Sequence, residues 1–320
     1  MLACGPAHLQ AGITVSKEHG RVMIPGIDPK VDYAFKHVFG REQNQSLLIH
    51  LLHAVLQPPP QQQIIVLEIL NPFNDKDALD DKLSILDIKA RDQSGRHFNV
   101  EMQLLAYGAF RQRALYYWAR LHQAQLQEGM DYQTLRPTIA ICFVDSPLFP
   151  EIPAYHLLFE LRERQQGLLF TDQLAVHILE LPKFTKSVAE LATPLDRWLY
   201  FLRHGETLDT DHLPGALDVP EIHRALGDLQ MMTQSELERE RYESRLKMQR
   251  DIYTALKEAR DEGRQEERRQ GRIERIQFLQ RLLRQALTPV EHLQTQPAEE
   301  LERLVDELEA EALARMRNGS

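Results

Sequence analysis

The feature that most constrains this chain is a pair of alternating runs on either side of one short turn. Residues 86–90 and 98–104 alternate apolar with polar positions, and Gln93-Ser94-Gly95 lies between them. A period of two is the signature of a strand. Two such runs around a glycine-bearing turn predict a hairpin. If the turn centres on Ser94, residues equally far from it face each other, and Asp87 lies across from Glu101. Opposing Cβ atoms in an antiparallel pair sit about 4.5–5.5 Å apart. One face then carries Asp87, Lys89, Asn99, Glu101 and Gln103. The other carries Leu86, Ile88, Ala90, Phe98, Val100, Met102 and Leu104, and other elements must cover it.

Two carboxylates placed opposite one another repel. A divalent cation removes that cost, since Mg²⁺ is held by one or two carboxylates together with water and substrate phosphate. Spacing alone leaves a plainer alternative open. The polar face is then simply the solvated side of an amphipathic hairpin, with Lys89 neutralising the acids. A one-residue shift of the turn would also undo the pairing.

The flanking segments predict what covers the apolar face. Residues 28–40 read as a helix, with Asp28 as its cap and Pro29 in its first position. Val31, Phe35 and Val38 share one side, and Gly40 stops it. A second helix is expected over 43–56, ended by Pro58-Pro59-Pro60. Strands follow at 64–70, 82–91 and 97–104, then a helix over 109–128 and a buried strand at 138–144. Further strands are expected near 155–161 and 175–181, and a helix over 188–202. The opening order is helix, three strands, helix, strand.

A chain of 320 residues that is 43% hydrophobic and 27% charged is of ordinary globular composition. Cys4 and Cys142 are its two cysteines, too few for a disulfide framework and without zinc spacing, which points to a reducing, cytoplasmic compartment. No apolar run approaches the roughly 20 residues of a membrane helix, so no membrane partner is expected. A formal net charge of -9 argues against tight non-specific nucleic-acid binding. It does not exclude a nuclease, whose own site carboxylates are acidic and whose metal reverses the local field.

Residues 1–22 read as a loose lead-in, 23–205 as the main domain, 206–221 as a linker and 222–320 as a charged helical extension. Residues 245–285 hold 12 Lys or Arg against 7 Asp or Glu, with Ile273, Ile276, Leu279 and Leu283 forming an apolar stripe. Such a helix must bury its stripe. Self-association as a homodimer through these helices is expected, and docking on the main domain is nearly as plausible. The acidic stretch after Pro297 is complementary in charge and predicts an antiparallel pairing, within or between chains.

Three motifs carry a family resemblance. They are Asp32-x-x-Phe35-Lys36-x-x-Phe39-Gly40, Lys82-x-Ser84-x-x-Asp87-Ile88-Lys89-Ala90, and Gly95-x-x-x-Asn99-Val100-Glu101-Met102-Gln103. Together, over roughly residues 28–200, they resemble the Rpn recombination-promoting nucleases and putative transposases of the PD-(D/E)XK superfamily. The resemblance implies an α/β restriction-endonuclease-like core of helix, three strands, helix and strand, with the helical C-terminal extension added. It implies a Mg²⁺-dependent (or other divalent cation-dependent) DNA endonuclease linked to recombination or mobile elements. Asp87, Glu101 and the Met102 carbonyl would hold the metal, and Asp32 would be the acid on the first helix. Leu86 stands where the motif name has Pro. Gln103 stands where it has Lys and cannot supply a positive charge, which leaves Lys36, Lys82 or Lys89 to do so. The competing reading is a catalytically decayed nuclease fold acting as a DNA-binding or assembly module.

Arg113, Tyr117 and Arg120 share one helical face suited to DNA phosphates, although core packing of the neighbouring aromatics is the commoner role for such a cluster. His50, His53 and His122 show no metal spacing and are read as structural.

Overall fold

The computed structural model describes residues 24–71, 87–105 and 108–318. The lead-in, Lys82, Ser84 and Leu86 lie outside the described residues. The chain divides into two compact units, Met1–Leu246 and Lys247–Ser320.

The first unit is built on a six-stranded sheet. Its strands are β1 (Leu67–Ile69), β2 (Ile88–Asp92), β3 (His97–Gln103), β4 (Thr138–Val144), β5 (His156–Glu160) and β6 (Leu174–Glu180). The order across the sheet is β1-β2-β3-β4-β6-β5. β1, β2 and β3 form antiparallel neighbours, β3-β4 and β4-β6 are parallel, and β5 returns antiparallel at the edge. The parallel β3-β4 pair needs a crossover, which α3 (Phe110–Gln123) provides.

Four helices cover one sheet face: α1 (Asp32–Phe39), α2 (Gln45–Leu56), α4 (Pro194–His204) and α5 (Pro220–Gln234). Ile88, Ala90, Phe98, Val100 and Met102 are buried in the core they form, with Phe35, Leu51, Trp198 and Leu226 among their neighbours. These are the even-numbered hairpin positions, so the predicted apolar face is the covered one. On the opposite face α3 inserts Phe110 and Ala114 against Cys142, Val144 and Ile178. The Trp118 indole N–H donates to the Thr138 carbonyl at 2.7 Å and ties the same helix to β4. The mixed α/β architecture and the helix, three strands, helix, strand order match the expectation.

Several boundaries differ from the sequence reading. Asp28 does not cap α1. Its Oδ1 accepts from Lys30 N at 2.9 Å within a turn, and the helix starts only at Asp32. The helix expected over 188–202 is a short turn at Val188–Glu190 followed by α4. Thr193 and Asp196 form a capping box and Pro194 takes the first position, a start signal that outranks the apolar period.

The domain end also moves. Ile222, Ala225, Leu226, Leu229 and Met232 of α5 lie in the main core, as does Tyr242 of α6 (Glu236–Leu282). The unit therefore runs to Leu246, beyond the expected close at 205.

The second unit holds the end of α6, with α7 (Val290–Thr295) and α8 (Ala298–Asn318). Ile273, Ile276, Leu279 and Leu283 are buried against Leu293, Leu301, Leu308 and Ala312. The stripe that suggested self-association is thus covered inside its own unit. Arg272 pairs with Glu302 at 2.9 Å, Arg275 with Glu309 at 2.5 Å, and Arg315 donates to the Leu283 carbonyl at 2.7 Å. Partner numbers rise together, so α8 runs parallel to α6 and the expected antiparallel pairing is wrong. α7 carries the chain back between them, which leaves α8 to repeat the direction of α6. No helix among the described residues is long and apolar enough to cross a membrane.

Candidate metal and catalytic site

The hairpin turn sets the site. Asp92 Oδ1 accepts from the Ser94 and Arg96 main-chain N–H groups at 3.0 and 2.9 Å, and Arg96 Nε binds Asp92 Oδ2 at 2.6 Å. Gly95 closes the turn at φ +85, where a side chain would be strained. The resulting register pairs Ile88 with Val100, Lys89 with Asn99 and Ala90 with Phe98. It is the register centred on Ser94. Asp87 immediately precedes the first pair, so continuing the ladder by one residue brings it opposite Glu101.

Asn71, just past the end of β1, holds Asp87 there. Its Oδ1 accepts from Lys89 N at 2.6 Å, and its Nδ2 donates to the Asp87 carbonyl at 3.1 Å and to Asp87 Oδ1 at 3.5 Å. The amide thereby stands in for one more residue of the β1 ladder. Lys89 also gives its carbonyl to Leu70 N at 2.7 Å, so both its main-chain groups face β1. Alternation then points the Val100 and Met102 main chain towards β2. The Gln103 carbonyl confirms the phase by accepting from Asp145 N, beyond β4. The Met102 carbonyl is therefore directed past the last described β2-β3 pair, on the side where Asp87 lies.

Glu101 is only 2% exposed. Burial, reinforced by the Asp87 charge and opposed by Arg113, pushes its carboxyl up to about 7. Glu101 is therefore not on a solvated face, while Lys89 pairs with Asp87 as the plainer alternative expects. Cys142 lies beside it in the parallel register, its thiol pushed well up by burial and by Glu101. Asn99, on the same face, is also 2% exposed, and its Oδ1 is buried without a hydrogen-bond donor among the described residues. The polar face thus carries a buried carboxyl and one buried amide oxygen that lacks a donor among the described residues.

Two cations, Lys89 and Arg113, contact the polar side chains of this face. Lys89 Nζ is 3.5 Å from Asp87 Oδ2, with its side chain 41% exposed. Arg113 Nη2 donates to Gln103 Oε1 at 3.3 Å. Lys36 is buried on α1, where a Cβ on Gly40 would come within 2.9 Å of its Cγ. Asp32 is paired with Arg245, whose Nη2 lies on its Oδ2 at 2.6 Å with both side chains largely buried. The structure thus brings Asp87, Lys89, Glu101 and Gln103 onto one hairpin and ties Asp32 to α6.

Among the described residues no group of three His, Cys, Asp or Glu side chains is gathered tightly enough to hold a metal alone. Two carboxylates and a main-chain carbonyl are nevertheless hard oxygen donors of the kind Mg²⁺ takes, its other positions going to water and phosphate. The orphaned Asn99 Oδ1 beside this oxygen donor set is compatible with a cation.

Three histidines have structural work. His50 Nδ1 accepts from the Trp198 indole N–H at 2.8 Å, His53 Nε2 from Ile64 N at 2.9 Å, and His122 stacks on Trp118. On α3, Tyr116 is exposed while Phe110, Ala114 and Leu121 are buried. Tyr117 and Trp118 are half-buried, so the core side of α3 is formed by Phe110, Ala114 and Leu121 and not by the cluster's aromatics. Asn71 escaped the sequence reading altogether. The helical spacing of Arg113 suggests a phosphate contact and carries no signal of its reach to Gln103.

A family model described as PD-(D/E)XK nuclease family transposase matches residues 29–259. No curated protein and no solved structure matches the chain. The match spans well over half the sequence and includes the whole hairpin site, so the chain belongs to the PD-(D/E)XK nuclease family transposases.

Proposed function

We propose that this protein is a divalent-metal-dependent endonuclease that hydrolyses DNA phosphodiester bonds, in the service of recombination or mobile-element movement. The observation that carries this reading is a buried Glu101 set against Asp87 on a rigid hairpin. Such a pair costs stability unless a ligand neutralises it.

Asp87, Glu101 and the Met102 carbonyl would hold the cation, with Mg²⁺ the best fit to the donor set. A divalent cation supplies charge stabilisation at the phosphate and makes water acidic enough to act as nucleophile near neutral pH. The protein's own groups do the rest. Asn71 keeps Asp87 aimed at Glu101. Gln103 offers an amide to orient water or phosphate. Lys89, half out in solvent, would meet a phosphate oxygen arriving at the rim. The exposed Arg111 and Arg120 of α3 add charge for the DNA backbone.

A decayed, binding-only nuclease fold is the second reading, favoured by the neutral Gln103. Supercoiled plasmid incubated with Mg²⁺ or with chelator separates the two. The first reading requires metal-dependent nicking that Asp87→Ala abolishes.

A further inference from the structure

Gln103 occupies the position where the family name carries a lysine, and it has no charge to offer. The missing charge lies across the layer boundary. Arg113 stands in the first turn of α3 and reaches down to the Gln103 amide oxygen. Its charge also acts on the Glu101 carboxylate. The guanidinium sits 5.9 Å from the centroid of the buried Phe110 ring, which limits its freedom.

The location runs against local preference. The first turn of α3 holds no acid but two arginines, 111 and 113. Cations at a helix N-terminus oppose the helix dipole. Helix stability therefore does not explain Arg113, whereas a need for positive charge beside the carboxylates does. A guanidinium stays protonated at every working pH, so it supplies charge without acting as a base.

We propose that Arg113 and Gln103 together replace the motif lysine. Arg113 supplies the fixed positive charge. By donating to Gln103 Oε1 it also leaves the Gln103 NH₂ as the donor presented to phosphate or water. A cation held in place before the reaction costs no reorganisation when negative charge develops. The substrate side of this inference rests on the nuclease reading above, while the positioning contact stands independently of it.

The test compares Arg113→Lys, Arg113→Met, Gln103→Lys and the double variant Arg113→Met/Gln103→Lys. Nitrogen relaxation of the Gln103 side-chain amide is read in metal-free protein, and plasmid nicking is read with Mg²⁺. The wild-type amide should be ordered, and Arg113→Met should free it while Arg113→Lys keeps part of the order. Nicking by Arg113→Met should fall about 100-fold at unchanged melting temperature, and Gln103→Lys in that background should recover roughly tenfold or more. If Arg113→Met does not fold, Arg113→Gln carries the same comparison. An amide equally mobile with and without Arg113 overturns the positioning contact. A folded double variant no faster than Arg113→Met overturns the charge replacement. A wild type that cuts no DNA with any divalent cation removes the nuclease reading, and the relaxation comparison still decides the Arg113 contact.

Discussion

At the scale of single residues, Glu101 is where structure and chemistry pull hardest against each other. Its carboxyl is raised from 4.5 to about 7, first by burial and then by Asp87. A raised folded-state value means the folded protein holds its proton more tightly than the unfolded chain. The associated stability is present in full below about pH 4.5 and is lost as pH rises to about 7. The size is on the order of 3 kcal/mol. Metal-free wild type should therefore melt progressively earlier from pH 4.5 to 8, while Glu101→Gln should show a flatter profile over that window. Identical slopes would contradict the burial argument. Mg²⁺ should restore the wild type above pH 7 and leave Glu101→Gln unmoved. Asn71→Ala makes a different prediction. Loss of two main-chain contacts should cost only about 1 kcal/mol of stability, yet nicking should fall because Asp87 loses its aim. Unchanged nicking would show that Asp87 is held by something else.

At the scale of elements, the β2-β3 hairpin decides whether the carboxylates meet. Gly95→Ala puts a Cβ at φ +85, within 2.9 Å of Arg136 Cγ. A cost of about 1–3 kcal/mol is expected, with loss of nicking beyond what that instability explains, since slippage of one residue parts Asp87 from Glu101. Thermal melts alongside cleavage assays check both. The same hairpin shows why part of the site was legible in the sequence. Alternation, the Asp92–Arg96 turn and the glycine are local, so facing residues could be paired by counting outward from Ser94. Asn71 and Arg113 act across loops and layers, and nothing in their own neighbourhoods announces their partners. The Arg245 pairing of Asp32 was hidden for the same reason. Its motif looked catalytic, while its partner Arg245 lies 213 residues away. The α4 start was readable from Thr193-Pro194 but was hidden by a longer apolar period around it.

At the scale of the whole molecule, the first unit includes residues that look like an appendage. The charges after residue 220 obscure a buried face, and α5 contributes Ile222, Leu226, Leu229 and Met232 to the main core. The start of α6 then grips α1. Glu238 accepts from the Tyr33 hydroxyl at 2.9 Å and lies 3.1 Å from His37 Nδ1. Its carboxyl is held down to about 2 although burial alone would raise it, because His37 and Tyr33 bind it. A chain ending at 205 should accordingly fail to fold, while one ending at 246 should melt cooperatively. Circular dichroism melts of the two truncations decide this, and a stable 205-residue form would contradict the core assignment. The central claim, that Asp87 and Glu101 form a metal-dependent cutting site, is tested most directly by one assay. Supercoiled plasmid is incubated with wild type, Asp87→Ala and Glu101→Gln, each with Mg²⁺ and with chelator. The account predicts nicking by the wild type with Mg²⁺ alone; nicking that survives chelation, or that either variant performs at the wild-type rate, would contradict it.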